Sequence, residues 1–104
     1  MVGKWGGRQM LSLGRGCYSD STIAHEFIHA IGFWHEQSRP DRDEYVRINF
    51  ENIIRSRHRV FDKQRTSLTF GLPYDGLSVM HYEHWGFANP GKSAISSKVS
   101  IRFF

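Results

Sequence analysis

The chain has 104 residues, a single cysteine and a formal net charge of +4, with 39% hydrophobic and 14% aromatic residues. That length supports one domain with a modest core and not two. No run of about 18 apolar residues occurs, which excludes a helical membrane span, and no apolar leader-type run follows Met1.

In chain order, Met1 to Gly7 is glycine-rich and reads as loop. Arg8 to Leu13 alternates loosely and is a candidate short strand, followed by a turn from Gly14 to Ser19. Ser19, Asp20, Ser21 and Thr22 all offer N-caps for a helix placed near Ser21 to Ile31.

That helix opens the stretch His25-Glu26-Phe27-Ile28-His29-Ala30-Ile31-Gly32-Phe33-Trp34-His35-Glu36. Two histidines four apart lie about 40° from each other around a helix axis, with Glu26 on the same side about 60° from His29. Ile23, Ala24, Phe27, Ile28, Ala30 and Ile31 fill the other arc, which predicts a helix that buries one side. A polar cluster on such a helix is costly unless something satisfies it, and zinc would. Continued as helix, His35 would lie about 15 Å along the axis from His25 and face the apolar side. Gly32 can adopt a positive φ and end the helix in a left-handed cap, turning the chain. His25, His29 and His35 are then candidate ligands of one Zn²⁺, with a position left open for water as in catalytic sites. Zinc brings the pKa of such a water to about 7, and Glu26 is the candidate base for its proton.

Beyond the third histidine, Glu36 to Glu44 is charged, holds Pro40, and reads as a solvated turn with local ion pairs. Tyr45 to Ile48 reads as a short strand, and Phe50 to Phe61 as a helix with Ile53, Ile54, Val60 and Phe61 partly buried. Thr66 to Phe70 is weakly strand-like and Pro73 to Gly76 is a turn. Arg55, Arg57, Arg59, Lys63 and Arg65 cluster, but no nucleic-acid motif accompanies them, so a solvated helix face is the better reading. Met80 alone reads as core and Tyr82 as a half-buried tyrosine. His58, His81 and His84 lack ligand spacing that competes with the first three histidines and read as packing or surface residues.

The H-E-x-x-H-x-x-G-x-x-H pattern with a later methionine turn resembles the metzincin peptidases. Glu36 directly after His35, then Gln37-Ser38-Arg39-Pro40-Asp41-Arg42-Asp43, resembles the astacin family in particular, and Ser78-Val79-Met80-His81-Tyr82 matches its methionine turn. The resemblance runs from about Gly6 to Lys98. It implies an α+β fold, a metzincin-like zinc peptidase catalytic domain that is partial here: the zinc helix and the methionine turn, with little of the N-terminal sheet. Residues 1–98 form the partial peptidase domain and 99–104 a divergent tail. The resemblance also implies that Met80 packs beneath the histidines, that Tyr82 is an extra zinc ligand that swings away to help stabilise the oxyanion, and that Glu36 is a buried anchor. In astacins a cysteine near the start of the zinc helix pairs with one upstream. None precedes Cys17, so a free thiol and a truncated domain are expected.

The expected function is zinc-dependent endopeptidase action: His25, His29, His35 and Tyr82 on one Zn²⁺, and Glu26 with Tyr82 as the catalytic pair. The expected partner is a peptide or protein substrate, with neither nucleic acid nor membrane, and the location secreted by family resemblance. The rival expectation is a truncated fragment that binds zinc without turnover. A basic nucleic-acid binder is a third reading, one that would need no zinc.

Overall fold

Ser19 starts the α-helix α1 (Asp20–Ala30): its Oγ accepts the Thr22 backbone N–H at 3.2 Å, with Ser19 itself extended at φ −70°, ψ 149°. Such a cap satisfies one of the amide groups that a helix start leaves without a partner. The bounds predicted from the capping residues and the apolar period differ from the observed ones by one residue at each end. The structure, a computed structural model, describes residues 2–4, 6–16 and 19–100. The expectation of a free thiol at Cys17 therefore lies outside the described residues, as do the last four of the divergent tail.

The chain divides into two units, Met1–Trp34 and His35–Phe104. In the first, α1 ends in a full Schellman cap. Gly32 sits at φ 115°, its N–H reaching the His29 carbonyl at 3.0 Å while the Phe33 N–H reaches the Ile28 carbonyl at 3.2 Å. The glycine does what the sequence requires of it, since a Cβ at this φ is strained. Near the same end, the Gly3 N–H donates to the His29 carbonyl at 2.8 Å. The apolar side of α1 departs from expectation. No residue of α1 is buried, and Phe27 and Ile31 are 56% and 70% exposed. Arg8 to Leu13 forms no strand: Met10 and Leu11 are exposed and no ladder partner meets them among the described residues.

The second unit holds the core, formed by Val46, Ile48, Ile53, Phe61, Tyr74, Ala94 and Ile95. Strand β1 (Val46–Ile48) pairs antiparallel with β2 (Ile95–Ser97), Ile48 opposite Ile95 and Val46 opposite Ser97. Alternation puts Val46 and Ile48 inward and Arg47 outward, as a half-buried strand requires. With one α-helix and this sheet among the described residues, the class is α+β.

The helix expected over Phe50 to Phe61 is instead two 3₁₀ segments, Phe50–Asn52 and Arg55–Phe61. Between them Ile53 is extended, at φ −117° and ψ 135°, and bridges Ala88. Asn52 is held as well, its carbonyl accepting the Asn89 N–H at 2.8 Å. Pairing to a distant segment overrides the helical period, and Ile54 turns out exposed rather than partly buried. Thr66 to Phe70 is no strand either, since Phe70 adopts a left-handed backbone at φ 55°.

The stretch read as a solvated turn is the unit's polar interior. Gln37, Ser38 and Arg42 are buried. Arg42 donates from Nη1 to the Gln37 carbonyl at 3.1 Å and to the Phe61 carbonyl, and from Nε to Asp43 at 3.0 Å. Arg39 clamps Asp41 with two hydrogen bonds of 2.9 and 2.8 Å and reaches Glu36 at 3.1 Å. That guanidinium holds the Asp41 carboxyl below the usual carboxylate range, the hydrogen bond being the largest cause.

Arg42→Leu should lower stability by about 2–4 kcal/mol, because two buried carbonyls lose a charged donor; an unchanged urea midpoint would contradict this. Asp41 has a lower pKa folded than unfolded, so its contribution is full above about pH 5 and is lost as pH falls through the depressed folded value. Asp41→Asn should therefore flatten the acid limb of a stability–pH curve and leave a smaller difference from wild type at low pH.

Candidate metal centre and active site

On α1, the 3.6-residue period sets His25 and His29 one turn apart. Their rings meet edge to face with centroids 4.6 Å apart. Both are half-buried, as is Glu26 between them. The cap that ends the helix also orients the His29 imidazole. His29 Nδ1 lies 2.7 Å from the Phe33 carbonyl oxygen, and since a carbonyl only accepts, Nδ1 carries the proton. Nε2 is then the nitrogen with the lone pair. Fixing the tautomer from behind in this way is what metal-ligating histidines require. A Gly32 in any helical conformation would have carried Phe33 elsewhere, so the same glycine that stops the helix aims the imidazole.

In the second unit, His35 is extended at φ −66° and ψ 147° and precedes the 3₁₀ turn Glu36–Ser38. Its ring lies against that of Tyr82, centroids 4.5 Å apart. The methionine turn is tight: the Ser78 carbonyl accepts the His81 N–H at 2.9 Å and the Ser78 Oγ accepts the Met80 N–H at 3.1 Å. Met80 is buried and its carbonyl accepts the Glu36 N–H at 2.9 Å. One residue on, the Gln37 side-chain Oε1 accepts the Tyr82 N–H at 2.9 Å. The strap that follows His35 is thus laced to the turn that carries Tyr82. The Tyr82 ring is half-buried and packs edge-on against Phe61 at 5.8 Å and beside Phe87 at 5.5 Å. Burial pushes its phenol pKa up.

His81 and Tyr74 form a pair that sequence reasoning passed over. His81 is buried, and Nδ1 donates to the Tyr82 carbonyl at 2.5 Å, which leaves Nε2 to accept the Tyr74 hydroxyl at 2.6 Å. Burial lowers the His81 pKa and raises that of Tyr74, so both stay neutral and the hydrogen bond is between uncharged groups. A packing role for His81 agrees with the sequence expectation. His58 packs too, Nε2 donating to the Ile53 carbonyl at 2.9 Å, and His84 is exposed. Glu36 is mostly covered, its side chain 18% exposed. Its Oε1 accepts the Asp75 N–H at 2.8 Å and the Arg39 guanidinium at 3.1 Å. Gln37 was missed altogether, since a glutamine within a charged run carries no hydropathy signal of burial.

As a donor set, the imidazoles of His25, His29 and His35 could hold a metal ion. Three neutral nitrogen ligands with a nearby carboxylate that is not needed for coordination suit zinc in a hydrolytic site.

Known proteins agree with this chemistry. The family model described as Astacin, a peptidase family, matches residues 1–102. Zinc metalloproteinase nas-6 of Caenorhabditis elegans is 44% identical over 98 residues, covering 92% of this chain and 28% of that protein. Meprin A subunit beta of Homo sapiens is 45% identical over 96 residues, 90% of this chain and 14% of that protein. Among solved structures, High choriolytic enzyme 1, a hatching enzyme zinc-protease from Oryzias latipes, is similar with a TM-score of 0.85 at 43% identity. That match covers 96% of this chain and 52% of the other. The chain therefore spans less than a third of these two relatives and about half of the solved enzyme. A family match over nearly the whole chain, with the zinc motif and the methionine turn inside it, places this protein in the astacin family of zinc metallopeptidases.

Proposed function

We propose that the chain carries the zinc-binding and catalytic residues of a metalloendopeptidase that hydrolyses peptide bonds in peptide or protein substrates. The observation that supports this most directly is the His29 imidazole, its Nδ1–H committed to the Phe33 carbonyl at the Gly32 cap. A helix end built this way presents Nε2 as a ligand, and the motif supplies His25 and His35 to complete the set.

His25, His29 and His35 would hold the ion, and Tyr82 would add its phenol oxygen to the set. Zinc, when bound, supplies Lewis acidity toward a peptide carbonyl and makes water a stronger nucleophile near neutral pH. Glu26 does the proton work. Its carboxylate takes a proton as the water oxygen attacks the carbonyl carbon, then gives it to the amide nitrogen as the C–N bond breaks. Tyr82 donates its O–H toward the oxygen that gains charge during the attack. A secreted location fits the family, and no described helix is long and apolar enough to cross a membrane.

A second reading rests on one observation. The apolar residues Phe27 and Ile31 of α1 are largely exposed, and a peptide must also be positioned, which contributes roughly 7–11 kcal/mol to lowering a barrier. On this reading residues 1–104 alone bind zinc with little turnover. Chelator-sensitive cleavage of a broad peptide library by zinc-loaded 1–104, absent from Glu26→Gln, would exclude it.

Wild type should hold about one Zn²⁺ per chain after dialysis, His29→Ala much less, and Glu26→Gln the wild-type amount, because the glutamate is a base and not a ligand. Full zinc in His29→Ala, measured by metal analysis, would remove that histidine from the site. In a longer chain that turns over substrate, Tyr82→Phe should keep zinc and lower kcat by about 10–100-fold with a smaller change in KM, as for a group acting mainly in the transition state. Equal changes in both constants would reduce Tyr82 to a binding role.

A further inference from the structure

We infer that Gln37 is a positioning residue for Tyr82: its buried side-chain amide grips the Tyr82 backbone and so sets where the phenol stands beside His35. This rests on the proposed role of Tyr82. Gln37 is wholly buried, at 0% exposure. Its Oε1 accepts the Tyr82 N–H at 2.9 Å, across 45 residues of sequence. That bond also fixes the amide's orientation, since turning it over would set one donor against another. The consequence is that Nε2 has no partner among the described residues. An unpaired buried donor is destabilising and needs a reason. Space-filling does not supply one, because methionine would fill a similar volume without the unpaired group.

The rest of the second unit braces the glutamine on the other side. Arg42 donates to the Gln37 backbone carbonyl at 3.1 Å, and the Glu36 N–H ties the strap to the Met80 carbonyl at 2.9 Å. The Tyr82 carbonyl accepts from His81, itself bonded to Tyr74. Tyr82 is therefore held at its N–H by Gln37, at its carbonyl by His81 and at its ring by Phe61 and Phe87. The Gln37 contact joins Tyr82 to the strap that begins at His35, together with the His35–Tyr82 ring contact and the Glu36–Met80 backbone hydrogen bond. Of the three, the Gln37 bond is the one made to the Tyr82 backbone itself, so cutting it loosens the residue that carries the phenol.

The test uses residues 1–104 and copper(II) added in place of zinc, since a phenolate bound to copper(II) gives a visible charge-transfer band. Wild type should show the band and Tyr82→Phe should not. At unchanged copper stoichiometry, Gln37→Met should lose more than about half of it, and the Tyr82 amide should exchange at least about tenfold faster, the factor for one lost hydrogen bond. Gln37→Glu keeps an acceptor oxygen, removes the unpaired donor, and should restore both. An undiminished band in Gln37→Met, with the band still dependent on Tyr82, would overturn the role of Gln37 and leave that of Tyr82 standing. A wild-type protein with no Tyr82-dependent band would defeat the reading of Tyr82 and this inference with it. Should Gln37→Met fail to fold, wild type alone decides: an unprotected Tyr82 amide overturns the proposal and a protected one supports it.

Discussion

Gly32 is the constraint on which the proposed metal chemistry depends. Two histidines one turn apart can share a helix face, but a third placed ten residues after the first cannot join them while the helix continues. A left-handed residue at the C′ position ends the helix before that histidine, and glycine adopts it without strain. The observed φ of 115° and the paired cap hydrogen bonds show the helix stopping there. The same cap places the Phe33 carbonyl against His29 Nδ1. One backbone conformation thus ends a helix, releases the following histidine from it and assigns the tautomer of another.

The second unit has a different organising principle. Its sheet is two strands of three residues, too little to order a chain of this size through ladder hydrogen bonds. Buried polar side chains take over the long-range connections. Arg42 gathers the carbonyls of Gln37 and Phe61, Asn49 reaches the Ser93 carbonyl and Ser96, and Gln37 reaches Tyr82. The contacts to Phe61, Ser93, Ser96 and Tyr82 join segments far apart in sequence, and burial strengthens such bonds. A unit built this way is sensitive to single polar substitutions at positions that look like surface in the sequence.

Under the proposed function these arrangements share one purpose. A helix that presents two imidazoles and a carboxylate, and a methionine turn that presents a tyrosine beside a third imidazole, are the parts a hydrolytic zinc site needs. The buried pair Tyr74–His81 stays neutral and holds the turn rather than adding a second proton carrier. Glu36 is similarly occupied, sharing one carboxylate oxygen between Asp75 and Arg39. Gln37 and His81 are thus committed to the Tyr82 backbone.

The sequence by itself determined the helix that carries the zinc motif and the three histidines and Glu26 proposed for the chemistry, because those rest on local rules, while the α+β class and the role of Tyr82 followed from family resemblance. Histidine spacing on a 3.6-residue period, serine at an N-cap and glycine at a C-cap act within a few residues and need no distant partner. It also marked Tyr45 to Ile48 as a strand, of which Val46–Ile48 forms one. What only the tertiary structure decided is non-local. Ile53 left the expected helix because Ala88 was there to pair with it. Phe27 and Ile31 stand exposed although their period marks a buried face. Ile95 to Ser97 became a strand through β1, and Gln37, in a run that reads as solvent-facing, went inside to meet Tyr82. A hydrogen-bond partner many residues away leaves no periodicity to read, so these positions became legible only once the chain had folded.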